Sequence, residues 1–124
     1  MTEKDLTAIK LKIDQWAEQC DRDFAARLID TFLADAPKRL TTLRQAFEQH
    51  AQDEFKRAVH TLKSSSGQLG ASFYAEVAQR VEIAARDGRM AEMAESVNWL
   101  ENEFAHLHDA LRTLRSGYAR AVSG

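Results

Sequence analysis

The 124-residue chain is poor in residues that interrupt helices or staple folds: one cysteine, one proline and five glycines. A single cysteine, Cys20, excludes an internal disulfide. Its acidic neighbours Glu18, Asp21 and Asp23 oppose thiolate formation, so a half-buried structural thiol in a reducing compartment is expected. No stretch alternates apolar and polar residues with β-branched enrichment, which removes the signal for strands. No apolar run approaches a membrane span, and the N-terminus Met1-Thr2-Glu3-Lys4-Asp5 does not look like a signal peptide. Cytoplasmic residence is the expectation. Charge of one sign is missing too: 17 Lys and Arg face 19 Asp and Glu. Such a balance argues against nucleic acid and against anionic membranes as partners.

The length fits one domain, taken as residues 1–124 with a core over about 22–116. A chain of this size buries roughly two-thirds of the surface of its unfolded form, enough for a core without staples. Apolar residues recur every three to four positions nearly end to end. Leu6, Ile9, Ile13, Trp16 and Ala17 mark a first helix. Asp21 or Asp23 caps a second, with Phe24, Leu28, Phe32, Ala36, Leu40, Leu43 and Phe47 on one stripe. Pro37 inside that stripe predicts a kink, or a break capped by Asp35. Asp53 is placed as the cap of a third helix bearing Phe55, Val59, Leu62, Ser66 and Leu69, stopped at Gly70. Tyr74, Val77, Val81 and Ala85 define a fourth helix that ends at Gly88. The last runs from about Met90 through Val97, Leu100, Phe104, Leu107, Leu111 and Leu114, with Gly117 as its expected ordered end. Arg112, Arg115 and Arg120 would then suit a helix C-terminus. The fold class is all-α: an antiparallel four-helix bundle with an additional N-terminal helix packed across it.

One face of the third helix carries chemistry. At about 100° per residue, with Phe55 at zero, the apolar stripe stays within about 40°. His60 falls at about 140°, Lys63 at about 80°, Gly67 at about 120° and Ser64 at about 180°. A free imidazole titrates near ~6.5, so at neutral pH much of it has a ring nitrogen available to attack. Lys63, one turn on, could meet an anion as a mobile point charge, and the small Ser64 and Gly67 keep the surroundings low for an approaching partner. On periodicity alone, an exposed histidine beside a lysine is usually just a solvated helix face. If the third and fourth helices fold back about Ala71, residue 60 lies level with Glu82. A carboxylate there either orients the imidazole through Nδ1–H, or is a solvated helix acid or a partner for Arg86. Gln79 and Arg86 share that flank.

The run from His60 to Ala71, HTLKSSSGQLGA, resembles the signature H-x-L-K-G-x-S-x-x-x-G-A of histidine phosphotransfer domains. His60, Leu62, Lys63, Ser66, Gly70 and Ala71 match it. The pattern Phe32-Leu33-x-Asp35-x-Pro37 and the pair Val81-Glu82 look like the family as well, and the resemblance spans about Phe24 to Leu111. It implies that His60 accepts a phosphoryl group on Nε2 from a receiver-domain aspartate and passes it to a response regulator in a phosphorelay. It implies a hydrogen bond from the histidine to Glu82, and assistance to the phosphorylated state from Lys63. Partners would be response regulator receiver domains and a hybrid sensor histidine kinase. The receiver would supply Mg²⁺, leaving this chain with no cofactor and no metal of its own, working as a monomer. Ser64 stands where the family pattern has glycine, which touches transfer rate and partner choice.

Three other classes compete with this reading. A bundle that docks receivers or a scaffold without carrying phosphate is the rival reading. A di-iron bundle needs two Glu-x-x-His motifs, and only Glu103-Phe104-Ala105-His106 occurs; His106, His108 and His50 are expected as surface or boundary residues. An enzyme acting alone would need a Gly-rich phosphate loop or a kinase catalytic loop, and neither is present. No ATP binding and no kinase activity are therefore expected.

Overall fold

In a computed structural model, the backbone is described for residues 1–123 and side chains for residues 1–118. The described residues form five α-helices and no strand: α1 (Glu3–Gln19), α2 (Arg22–Glu48), α3 (Gln52–Gln68), α4 (Ser72–Arg86) and α5 (Ala94–Ser123). A short 3-10 turn, Met90–Met93, leads into α5, which begins four residues later than the periodicity suggested.

Helices α2 to α5 make the bundle. The bonds across it run antiparallel: Gln52 reaches the Ala85 carbonyl between α3 and α4, and Arg115 meets Asp30 at 2.8 Å between α5 and α2. Phe32, Leu43, Phe55, Leu62, Val81, Leu100, Leu107 and Leu111 fill the centre. Burying each such side chain contributes roughly 1.5–3 kcal/mol. That driving force explains the fate of Pro37. α2 continues through it as one helix, although the ring removes the bond to the Leu33 carbonyl. Phe32 and Ala36 before it and Leu43 after it are all buried, so keeping one helix outweighs the local loss of about 3 kcal/mol. Asp35 caps nothing; it pairs with Arg39 at 3.1 Å.

Three helix exits share one geometry. Ala51, Ala71 and Arg89 each donate their N–H five residues back, to Ala46, Ser66 and Ala84. The residue before each is left-handed: His50 at φ 56°, Gly70 at φ 85° and Gly88 at φ 78°. The two glycines are where the sequence placed stops, whereas His50 was not foreseen. The exit at His50 also corrects the start of α3. It sets Ala51 as the N-cap, without a side-chain bond, so Asp53 lies inside the first turn rather than capping it. Asp21 does cap α2, accepting from the Phe24 N–H at 2.6 Å.

α1 crosses α2 and the α3–α4 turn. Ile9 and Ile13 are buried, while Leu6, expected on the same stripe, is 42% exposed. Trp16 Nε1 donates to the Gln68 carbonyl at 2.8 Å, and α1 passes so close to Gly70 that an added Cβ would sit 2.6 Å from Lys12 Cβ. Two further expectations fail. Gly117 does not stop α5, because Tyr118 beyond it is buried and bonds Asp14 at 3.1 Å, carrying the helix onward. Cys20 is exposed, since it follows the last turn of α1 and faces no core. The Arg120 side chain lies outside the described residues.

Candidate functional site

α3 turns Phe55, Val59, Leu62 and Ser66 into the core, which leaves the opposite face to carry His60. Its imidazole is 57% exposed. α4 packs antiparallel on α3, with Ala75 beside Gly67 at one end and the Ala85 carbonyl beside Gln52 at the other, and Glu82 comes level with His60. Gly67 is half-buried on the side of α3 that faces α4, where an added Cβ would meet Ala75 Cβ at 3.6 Å, an ordinary contact distance.

The three residues singled out on the two helices converge. His60 Nδ1 lies 2.7 Å from one Glu82 oxygen, and Lys63 Nζ donates to the other at 2.8 Å. Glu82 and Lys63 are 20% and 28% exposed. Burial alone pushes the Glu82 carboxyl up, but hydrogen bonds from Lys63 and His60, with their charges, outweigh it and hold its pKa below the ordinary carboxylate value. An ionised carboxylate only accepts, so it selects the tautomer with the hydrogen on Nδ1 and leaves Nε2 bare. Nε2 then points away from α4, towards solvent.

Glu82 meets His60 and Lys63, whereas Arg86 pairs with Asp87 at 3.5 Å. In the free protein Lys63 is held by Glu82, a partner the sequence reading did not name. Gln79 and Arg86 are exposed on α4 and, with Lys56, Lys63, Glu82 and Ile83, line a hollow of about 340 Å³. Ser64 is exposed one turn beyond His60 and shares with it a shallow hollow of about 490 Å³.

Sequence reasoning missed the other side of the histidine. A groove of about 690 Å³ beside His60 is lined by Arg39 from α2 and by Lys56 and Arg57 from α3, together with Thr42 and Glu54. Lys56 and Arg57 stand four and three residues before His60, a spacing that could have flagged them. Arg39 reaches the groove only through helix packing. His50, His106 and His108 lie elsewhere; His108 rests against the Phe104 ring at 5.7 Å. Among the described residues no group of three or more His, Cys, Asp or Glu is placed to hold a metal ion.

A bundle that lifts one oriented imidazole clear of its surface, with cations around it, defines the class of helical phosphocarriers. The model of the Hpt domain family matches residues 27–117, and the chain belongs to that family. Among solved structures it is similar to the histidine-containing phosphotransfer protein B from Pseudomonas aeruginosa PAO1. That match has 25% identity and a TM-score of 0.79, and covers 86% of this chain and 92% of the other. The HPT domain of an Hpt sensor hybrid histidine kinase from Shewanella shares its fold at 17% identity and TM-score 0.62, over 93% of this chain and 92% of that one. A search among curated proteins finds no match. The chain is a histidine phosphotransfer protein of phosphorelays, from a family of phosphocarriers that are not themselves kinases. Among the described residues no helix is long and apolar enough to cross a membrane.

Proposed function

We propose that His60 is the phosphoacceptor, taking a phosphoryl group on Nε2 from a receiver-domain aspartate and returning it to the aspartate of a second receiver. The observation that carries this reading is the 2.7 Å contact from Nδ1 to Glu82 on a ring that is otherwise open to solvent. The Nε2 lone pair attacks phosphorus, the acyl phosphate P–O bond breaks, and its electron pair leaves with the aspartate carboxylate. The hydrogen stays on Nδ1, donated to Glu82 throughout, and the carboxylate stabilises the positive charge that the ring gains. Lys63 supports Glu82 in the free protein and lies near enough to turn to phosphoryl oxygens once they are present.

The receiver brings the Mg²⁺ that offsets phosphoryl charge, and the chain contributes no metal, no cofactor and no kinase activity. Its partners are response regulator receivers and a hybrid sensor histidine kinase, met as a monomer in the cytoplasm. Arg39, Lys56 and Arg57 line the approach, where positive charge speeds encounter with the acidic face that surrounds a phosphorylated aspartate. The test is transfer from a phosphorylated receiver domain with Mg²⁺ to the wild type and to His60→Gln. Acid-labile, base-stable label on the wild type alone is expected. Label that survives in His60→Gln removes His60 from the role, and docking without label favours a module that carries no phosphate.

A further inference from the structure

Three successive serines follow the histidine helix turn, and they do not behave alike. Ser65 donates its hydroxyl to the Thr61 carbonyl at 2.8 Å, and Ser66 to the Leu62 carbonyl at 2.5 Å. Thr61 does the same to Arg57 at 3.1 Å. These hydroxyls are spent on the helix backbone. Ser64 is the exposed member of the triplet, and its hydroxyl has no partner among the described residues. It lies one turn from His60, where side chains on a helix are neighbours, and the two line the same open hollow with Gln68.

The orientation of the ring decides which flank matters. Lys63, at about 80° on the helix wheel, and Gly67, at about 120°, mark the side of α3 that faces α4. His60 stands at about 140° with Nδ1 turned towards that side, to Glu82. The two nitrogens of an imidazole diverge, so Nε2 faces the other flank. Ser64, at about 180°, is on that flank. The hydroxyl is short, rotates freely and donates without adding charge.

We propose that Ser64 sets the lifetime of the phosphorylated state: its hydroxyl donates a hydrogen bond to an oxygen of the phosphoryl group on His60 Nε2. The inference rests on His60 being the acceptor. Loss of the group to water breaks the N–P bond, forms an O–P bond to water, and returns the electron pair to Nε2, giving back the neutral Nδ1–H imidazole while the water's protons stay on the phosphate or pass to solvent. A donor that holds the phosphoryl oxygens in the ground state slows that step. With hydrolysis slowed, the chain retains its phosphate between encounters.

Phosphoramidate, which phosphorylates imidazoles directly, makes the test independent of any receiver. The full chain, its Ser64→Ala and Ser64→Thr variants and His60→Gln are labelled, freed of reagent, and followed by ³¹P NMR. Ser64→Ala is expected to lose phosphate roughly threefold faster, about 0.7 kcal/mol at 1.36 kcal/mol per decade, and Ser64→Thr to decay as wild type does. The Ser64→Ala variant should melt no lower than wild type, since alanine suits an exposed helix position. In denaturant the lifetimes should converge, because the contact requires the folded helix. Label on wild type, lost in His60→Gln, with Ser64→Ala decaying at the wild-type rate, would overturn the inference and leave the acceptor reading standing. Labelling unaffected by His60→Gln would overturn both.

Discussion

Replacing Gly70 with alanine loads two separate costs onto one residue, and a second glycine supplies the control. Gly70 and Gly88 hold nearly the same backbone, at φ 85° and 78°. An L-residue in that region costs roughly 1–2 kcal/mol, part of which the stiffer unfolded chain returns. There the likeness ends. A Cβ on Gly70 would lie 2.6 Å from Lys12 Cβ and 2.8 Å from the Ala8 carbonyl oxygen, whereas a Cβ on Gly88 meets nothing within 4 Å. Neither Lys12 Cβ nor a backbone oxygen can swing away, so α1 must shift, and overpacking of this kind costs typically 1–3 kcal/mol. Gly88→Ala should therefore lose about 1 kcal/mol and Gly70→Ala about 3 kcal/mol. With an unfolding entropy of about 2.1 cal/mol/K per residue, 124 residues convert these to falls in Tm of about 4 °C and about 11 °C. Thermal melts followed by circular dichroism read both. The Trp16 indole N–H, bonded beside the turn to the Gln68 carbonyl, reports local movement of α1 by NMR. Equal losses in the two variants would refute the close-approach argument and reduce Gly70 to a helix stop.

Three further outcomes are expected. Glu82→Ala should slow phosphoryl transfer about tenfold, as loss of one partly exposed charge-assisted hydrogen bond of about 1–1.5 kcal/mol would do, while receiver binding is preserved. Glu82→Gln, which keeps an acceptor oxygen for Nδ1–H, should lose less; unchanged rates in both variants would count against orientation by Glu82. The folded Glu82 pKa lies below its unfolded value, so its contribution to stability is complete above the unfolded value, about 4.3, and fades as pH falls through the folded one. The gap in Tm between wild type and Glu82→Gln should narrow on acidification, and a gap constant down to acid pH would contradict the bonds to Lys63 and His60. Charge reversal at Lys56 and Arg57 should slow association with a phosphorylated receiver roughly tenfold at low ionic strength and much less at high salt. Stopped-flow rates indifferent to both salt and charge would show that the groove beside His60 does not guide docking.

Local chemistry made much of this protein readable in advance. The 3.6-residue period, unbroken by β-branched alternation or paired cysteines, left an α-helical bundle as the way to bury Phe55, Leu62, Leu100 and Leu111. Gly70 and Gly88 marked exits because φ near +80° is cheap for glycine alone. The same period set His60 off the apolar stripe, and the antiparallel return of α4 brought Glu82 level with it. Other features were decided only when helices met. Burial on both sides of Pro37 carried α2 through a residue that should break it, and Tyr118 against Asp14 carried α5 past Gly117. His50 took a left-handed turn because the α2–α3 connection demanded one, and so displaced the start of α3 from Asp53. The partner of Lys63, the place of Arg39 beside the histidine and the separate fates of Ser64, Ser65 and Ser66 likewise depend on which groups the packed backbone brings within reach. Periodicity fixes which face of a helix is buried, being a property of each segment alone; distances between side chains on different helices arise only from the packing of the whole.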